Sequence, residues 1–212
     1  MRRLLYSIPA DKTEVVYHGI DFNPNQIAPK IKQKLPNSYI LYVGKRARYK
    51  NFSLLLHAFP KLTKKHCELH LVCVGDAAFN DEEKSLISNL NITDRCHHLS
   101  TDDIGLKTLY YNAKCFVFPS LYEGFGMPIL EAFSQRCPVV LSNSSCFPEI
   151  AQDAAFYFDP YSVESCIETV DKALSEDTRK MVLRGILLCE QFSWKSSAQK
   201  LAKIYHRVFD KK

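Results

Sequence analysis

Glu123 and Glu131 flank a turn that contains Gly124, Phe125 and Gly126 and then runs into Met127-Pro128-Ile129-Leu130. These residue types suggest recognition of anions and hydroxyls. A short apolar run at 115–118 ends at Pro119, which cannot continue a central strand ladder. Pro128 falls where the first turn of a helix has no use for an N–H. Strand, turn and helix are therefore expected over 115–133, with the amides of Gly124, Phe125, Gly126 and Met127 beside open space. Unpaired amides at a helix start, reinforced by the helix dipole, favour a phosphate or a partly negative hydroxyl oxygen. Glu131 lies among Met127, Ile129, Leu130, Ala132 and Phe133. A carboxylate in such company needs hydrogen-bond donors or shifts its pKa, because burying a bare charge is costly. Ligand hydroxyls would serve, and so would a neighbouring element, with Glu123 then a solvated turn residue.

A second group of charges lies upstream. Lys45, Arg46, Arg48 and Lys50 directly follow Gly44, which ends an apolar run at 39–43. Such a run is commonly a solvated face. At the carboxyl end of a parallel strand, however, it opens into the crevice where such folds bind ligands. There the forked guanidinium of Arg46 and the ammonium of Lys50 both suit phosphate.

The elements that must position these groups are legible from periodicity. Strands are expected at 14–17, 39–43, 68–74, 95–99, 115–118, 138–141 and 155–158. Helices are expected at 52–65, 81–90, 104–113, 127–133, 162–174, 178–191 and 194–209. Thr101 or Asp102 caps the third helix, and 23–34, with Pro24 and Pro29, reads as a loop or broken helix. Alternation of strand and helix without repeats predicts an α/β fold, a Rossmann-like doubly wound parallel sheet with helices on both faces. The division expected is a linker segment with a first strand at 1–36, a binding domain at 37–192 and a C-terminal helix at 193–212. Arg136 occupies a helix-to-strand turn that favours a left-handed residue, at a cost of about 1 kcal/mol relative to glycine.

Composition narrows the class. A chain of 212 residues with 46% hydrophobic content can bury a core of one large domain plus arms. No apolar run approaches the ~18 residues of a membrane span, and the apolar part of 1–10 is short for a signal peptide, so a cytoplasmic location is expected. The net charge of +5 is spread from Arg2 to Lys212. That argues against a nucleic-acid partner and suits phosphate-bearing ligands or peripheral contact with the inner face of a membrane. The eight cysteines form no C-x-x-C pair and read as reduced core thiols rather than disulfides or zinc ligands.

The stretch PSLYEGFGMPILEA, residues 119–132, resembles the donor-site signature of the retaining GT-B glycosyltransferases of family GT4. Around it, in the order typical of that family, stand Tyr42-Val43-Gly44, Lys50-Asn51, Val72-Cys73-Val74-Gly75, Leu109-Tyr110-Tyr111-Asn112-Ala113, Pro138-Val139-Val140 and Pro148-Glu149-Ile150. The resemblance implies the donor-binding C-terminal half of a GT-B fold, with a UDP-, GDP- or ADP-sugar as donor substrate and neither metal nor other cofactor. Arg46 and Lys50, just past Gly44, would hold the diphosphate, and Glu123 the sugar hydroxyls. The amides of Gly124, Phe125, Gly126 and Met127 would bind sugar and phosphates, Glu131 the ribose, and Ser100 and Thr101 would flank the base. His18-Gly19-Ile20-Asp21 resembles the N-G-V-D found where such chains pass between domains. That match implies a start near the interdomain linker and an acceptor-binding N-terminal domain supplied in cis or in trans. His18 itself reads as an ordered linker histidine. The terminal helix would reach back towards that domain, leaving apolar surface exposed without it.

Other readings compete. A dinucleotide-binding oxidoreductase would use Gly124-Phe125-Gly126 as the start of G-x-G-x-x-G, but Ile129 occupies the third position. For a glycoside hydrolase, two helical glutamates at this spacing stand about 12 Å apart along the axis, too wide for the usual pair. A catalytically incomplete nucleotide-sugar-binding or protein-interaction module has the same donor residues and stays open.

Overall fold

The computed structural model describes Pro9 and residues 12–21, 35–75 and 77–209. Six strands, β1 (Tyr39–Val43), β2 (His70–Val74), β3 (Cys96–Leu99), β4 (Cys115–Phe118), β5 (Val139–Ser142) and β6 (Phe156–Phe158), form one parallel sheet in the order β3-β2-β1-β4-β5-β6. Both faces are covered, so the inner strands are largely apolar runs rather than an alternation of apolar and polar residues, whereas the edge strand β3 is a half-buried Cys-His-His-Leu. Alternate residues still serve different layers. Ile40, Tyr42, Leu71, Cys73, Cys115 and Val117 pack with Phe52, Leu55 and Phe59 of α1 (Phe52–Lys65) and Cys166 and Val170 of α6 (Val163–Ser175). Leu41, Val72, Phe116 and Val139 face the opposite layer. There they meet Leu109 and Tyr110 of α3 (Asp103–Asn112), Leu130 and Phe133 of α4 (Met127–Ser134), Ile150 of α5 (Phe147–Ala151) and Leu188 of α7 (Arg179–Gln191).

The remaining helices are α2 (Asp81–Asn89), closed by an Asn80–Glu83 capping box, and α8 (Trp194–Phe209). Helix α8 buries none of its residues. Trp194, Leu201, Tyr205, Val208 and Phe209 are exposed along it. No helix among the described residues is long and apolar enough to cross a membrane.

One expected element is absent. Residues 14–17 are not a strand: the segment docks on the last two helices instead of the sheet. Ile20 N donates to Phe192 O at 2.8 Å, Ser197 Oγ donates to Tyr17 O at 2.6 Å, and Glu14 pairs with Lys200 and Arg207. Two further expectations are refined. Asp102, not Thr101, caps α3 by accepting from Gly105 N at 2.8 Å, and Cys67 is exposed while five of the other thiols are buried. The expected loop at 23–34 lies outside the described residues.

Two positions give stability tests. Arg136 adopts φ 60° after α4. Arg136→Gly should therefore raise the urea midpoint, by about 0.5–1 kcal/mol of stability. Gly185 of α7 lies under the Phe133 ring, and an added Cβ would sit 2.4 Å from Phe133 Cδ1. Phe133 is buried and has nowhere to move. Gly185→Val should cost about 1–3 kcal/mol in the same titration, and unchanged midpoints would count against both assignments.

Candidate functional site

Strand order reverses between β1 and β4, so the loops leaving their carboxyl ends diverge and open a crevice. The β1 loop starts at Gly44, whose φ is 133°. It passes a single 3-10 turn at Arg48–Lys50 and enters α1 through Asn51 at φ 55°. The β4 loop runs through Ser120 to Gly126. Leu121 N donates to Tyr49 O at 2.8 Å and ties the two loops together. Across the same gap Lys50 Nζ meets Glu123 Oε1 at 2.5 Å, with both side chains only 13% exposed. The ammonium also lies 5.2 Å from the Phe118 ring centroid. Two of the residues named from sequence are therefore in direct contact, although 73 positions separate them.

The β4 loop is held from behind by the loop after β5. Ser142 Oγ donates to Ser120 O, Ser144 Oγ to Leu121 O at 2.5 Å and Ser145 Oγ to Glu123 O at 2.7 Å. Glu123 N donates back to Ser145 Oγ at 3.2 Å, and the Cys146 thiol contacts the carbonyls of Glu123 and Phe125 at 3.3 Å. Gly126, at φ 92°, fits under Ile129 and Phe147 where a Cβ would stand 2.9 Å from Ile129 Cδ1. These contacts use carbonyls of the loop and leave the amides of 124–127 alone. Among the described residues, no hydrogen bond engages the amides of Gly124, Phe125, Gly126 or Met127, and α4 has no side-chain cap. The Ser120 hydroxyl is buried without a partner among the described residues. Sequence reasoning missed the 142–145 hydroxyls; the run Ser142-Asn143-Ser144-Ser145 is its only trace.

Arg46 is placed differently from Lys50. Its Nε donates to Glu83 Oε1 at 2.8 Å, and its other nitrogens reach the carbonyls of Gly75 at 3.1 Å, Ala77 at 2.6 Å and Ala78 at 3.1 Å. Phe79 and Phe52 flank the guanidinium at 5.2 and 5.9 Å from their ring centroids. The side chain is 4% exposed, so it works as a strut between the β1 loop and the loop after β2. Lys45 is exposed in the same loop. Ser100 is exposed past β3, and Thr101 packs over Gly105 at the start of α3.

Glu131 finds its donor within the protein, since Tyr110 Oη lies 3.1 Å from Glu131 Oε2. The pair borders a recess of about 260 Å³ that also takes in Ile20, Asp21, Asp103 and Lys107. Burial raises the Glu131 carboxyl above its ordinary 4.5, the tyrosine bond opposes the rise and Asp103 adds to it. The folded chain thus holds this proton more tightly than the unfolded chain does. The resulting penalty is absent below pH 4.5, grows as pH rises through the folded pKa and is constant above it. Glu131→Gln keeps an acceptor for Tyr110 and should be the more stable protein at neutral pH, with the gap closing below pH 4.5. Urea midpoints across that range check this; a gap independent of pH would refute it.

A family model described as Glycosyl transferases group 1 matches residues 25–186. The chain is 31% identical over 213 residues to the O-antigen chain mannosyltransferase B of Escherichia coli, an alignment covering 95% of this chain and 56% of that protein. It is 28% identical over 214 residues to the MMP alpha-(1->4)-mannosyltransferase of Mycolicibacterium hassiacum, covering 96% of this chain and 50% of that one. The chain thus spans about half the length of these relatives. Among solved structures, a glycosyltransferase from Rickettsia africae aligns with a TM-score of 0.85 at 23% identity, over 98% of this chain and 60% of its own. The C-terminal domain of a group 1 family protein from Francisella tularensis aligns at 0.66 and 21% identity, over 83% of this chain and 95% of that domain. These two structural matches establish the shared Rossmann-like fold. From the family match, which takes in the crevice and both glutamates, it follows that this chain belongs to the group 1 glycosyltransferases.

Proposed function

We propose that the chain is the donor-binding half of a retaining glycosyltransferase that takes its sugar from a UDP-, GDP- or ADP-sugar. The observation that carries this reading is the Lys50–Glu123 pair, set where strand order reverses and next to four amides without partners. A nucleotide-diphospho-sugar needs cations and amide donors for its phosphates and carboxylate acceptors for its hydroxyls. The crevice offers all three within one loop pair. Lys50 would neutralise charge on the departing diphosphate, which is electrostatic stabilisation of the transition state. Arg46 adds positive potential from the same loop while its hydrogen bonds hold the carbonyls of Gly75, Ala77 and Ala78. Glu123 would take sugar hydroxyls and Glu131 the ribose, with Ser100 and Thr101 beside the base.

In the transfer, the bond from the anomeric carbon to the diphosphate oxygen breaks and a bond to an acceptor oxygen forms with configuration kept. The acceptor proton leaves with the diphosphate. Positioning of the acceptor is assigned to an N-terminal domain, in cis or in trans, without which the chain binds donor but does not turn over. The exposed apolar residues of α8 support that assignment, since they form a surface suited to such a partner. Cytoplasmic placement, free or peripheral at the inner face of a membrane, belongs to the same proposal. Several matched relatives are named mannosyltransferases, which makes mannose the first sugar to try.

Calorimetric titration with UDP, GDP and ADP tests the reading. One nucleotide should bind saturably, and Lys50→Ala and Glu131→Ala should each weaken it by about 10- to 100-fold, the worth of a hydrogen bond to a charged group. Absence of binding by any of the three to the folded chain would sink the donor reading and favour an interaction module. Full-rate transfer by the chain alone would sink the requirement for a second domain.

A further inference from the structure

His70 and His97 face one another at the end of the sheet opposite the crevice. His70 opens β2, about 13 Å along the strand from the carboxyl end at Val74. His97 lies in the edge strand β3 beside Val72, so both imidazoles leave the same face of the sheet. His70 Nδ1 and His97 Nε2 stand 2.9 Å apart, with the ring planes inclined at 34°. The backbone around them is tied down. His70 N donates to Ser38 O at 2.9 Å, and Arg95, just before β3, donates to the carbonyls of Cys67 and Leu69. The pair opens on a recess of about 250 Å³ whose other walls are Leu35, Pro36 and Leu99. Burial lowers the pKa of both imidazoles; Arg95 lowers that of His70 further, against Glu68, and His70 lowers that of His97. Both rings are therefore neutral at pH 7, and each has a nitrogen lone pair to give.

The spacing is also that of a chelate. Metal–imidazole bonds are about 2.0–2.1 Å long. Two such bonds at a right angle put their nitrogens about 2.8–3.0 Å apart, whereas the tetrahedral angle puts them about 3.3–3.4 Å apart. The observed 2.9 Å fits the right angle, which is the cis angle of tetragonal copper(II) and nickel(II) sites with nitrogen and oxygen ligands. No third His, Cys, Asp or Glu completes a cluster among the described residues. The recess, however, has space for several waters at ~30 Å³ each. We propose that His70 and His97 are the two protein ligands of a tetragonal divalent transition-metal ion of the copper(II) or nickel(II) class, with water in its other positions. On binding, the rings turn their lone pairs into the recess. The proton between them moves to the far nitrogen of its own ring, so none is released. The ion then bridges β2 to β3 and holds the border of the sheet that has no further strand to pair with. This site takes no part in sugar transfer and stands or falls independently of the donor reading.

Calorimetric titration of the full chain with nickel(II), zinc(II) and magnesium chlorides tests the site, with bound copper(II) followed by electron spin-echo spectroscopy. Nickel should bind saturably, one ion per chain, and more tightly than zinc. Magnesium should not bind, and copper should show nitrogen couplings from two imidazoles. His70→Gln and His97→Gln keep a side-chain amide for hydrogen bonding. Each should weaken nickel binding by about tenfold or more, since even outer-shell partners of a metal are worth that much, and the double variant should abolish it. His57→Gln and Cys67→Ser remove two other exposed ligand atoms and should leave it unchanged. Nickel should also raise the urea midpoint of the parent and not that of the double variant. Cooperative unfolding of that variant without metal shows that it folds. Absence of saturable nickel binding with a Kd below about 1 mM would overturn the proposal. So would tighter binding of zinc than of nickel, or binding that survives either histidine substitution or is lost with His57 or Cys67, which marks an adventitious ion only.

Discussion

The Lys50–Glu123 ion pair couples the two loops that leave the sheet where strand order reverses. Both groups are mostly withdrawn from water, so the pair is screened less than a surface ion pair. Removing one partner of a fully buried pair costs about 3–5 kcal/mol, and at 13% exposure the cost here is somewhat less. Backbone pairing of Leu121 with Tyr49 keeps the loops in register, so the side chains meet without a separate ordering cost. On the proposed reading, a diphosphate offers Lys50 a second anion and sugar hydroxyls offer Glu123 donors. Binding then exchanges one buried contact for several, without uncovering a bare charge.

A site built from a loop needs support, because free loops are poor at holding geometry. Here that support is hydroxyls on carbonyls: Ser142, Ser144 and Ser145 fix the backbone of 120–123 from the rear. The consequence is selective. The carbonyls of Ser120, Leu121 and Glu123 are taken up by these hydroxyls, while among the described residues the amides of 124–127 make no hydrogen bond. Amides fixed before a ligand arrives require no reorganisation when negative charge appears beside them. Glycine at 126 is demanded by the same arrangement, since only a residue without Cβ fits between Ile129 and Phe147 at φ 92°.

How much of this could be read beforehand depended on the range of the interaction. Strands β1 and β4 and helices α1 and α8 have the bounds expected from sequence, because apolar runs between glycine, proline and polar residues specify them locally. The 14–17 segment failed for the opposite reason. Its valines satisfy a strand pattern, but Glu14 and the Tyr17 carbonyl are held by α8 and Ile20 by the end of α7, and only such tertiary contacts decide. The same holds in the site. Glu123, Glu131, Lys50 and the glycines were legible as types at a spacing, whereas the engagement of Arg46 with Glu83 and three carbonyls was not. Nothing near Arg46 in sequence announces a partner 37 residues away. Tyr110 as the donor to Glu131 was hidden for the same reason.

The two carboxylates of the signature are therefore not equivalent, although sequence presents them as a matched pair. Glu131 lies inside a helix, raised in pKa by burial and steadied by a neutral hydroxyl. On the proposed reading, it would accept a hydrogen bond from a ribose hydroxyl in the place where Tyr110 already donates to it. Glu123 lies in a turn against a cation, with its main chain fixed by Ser145 at both amide and carbonyl. Its placement is thus set by the joined loops rather than by a helix. On the proposed reading, a carboxylate that holds a sugar while charge develops on a neighbouring phosphate gains from being placed before the ligand arrives.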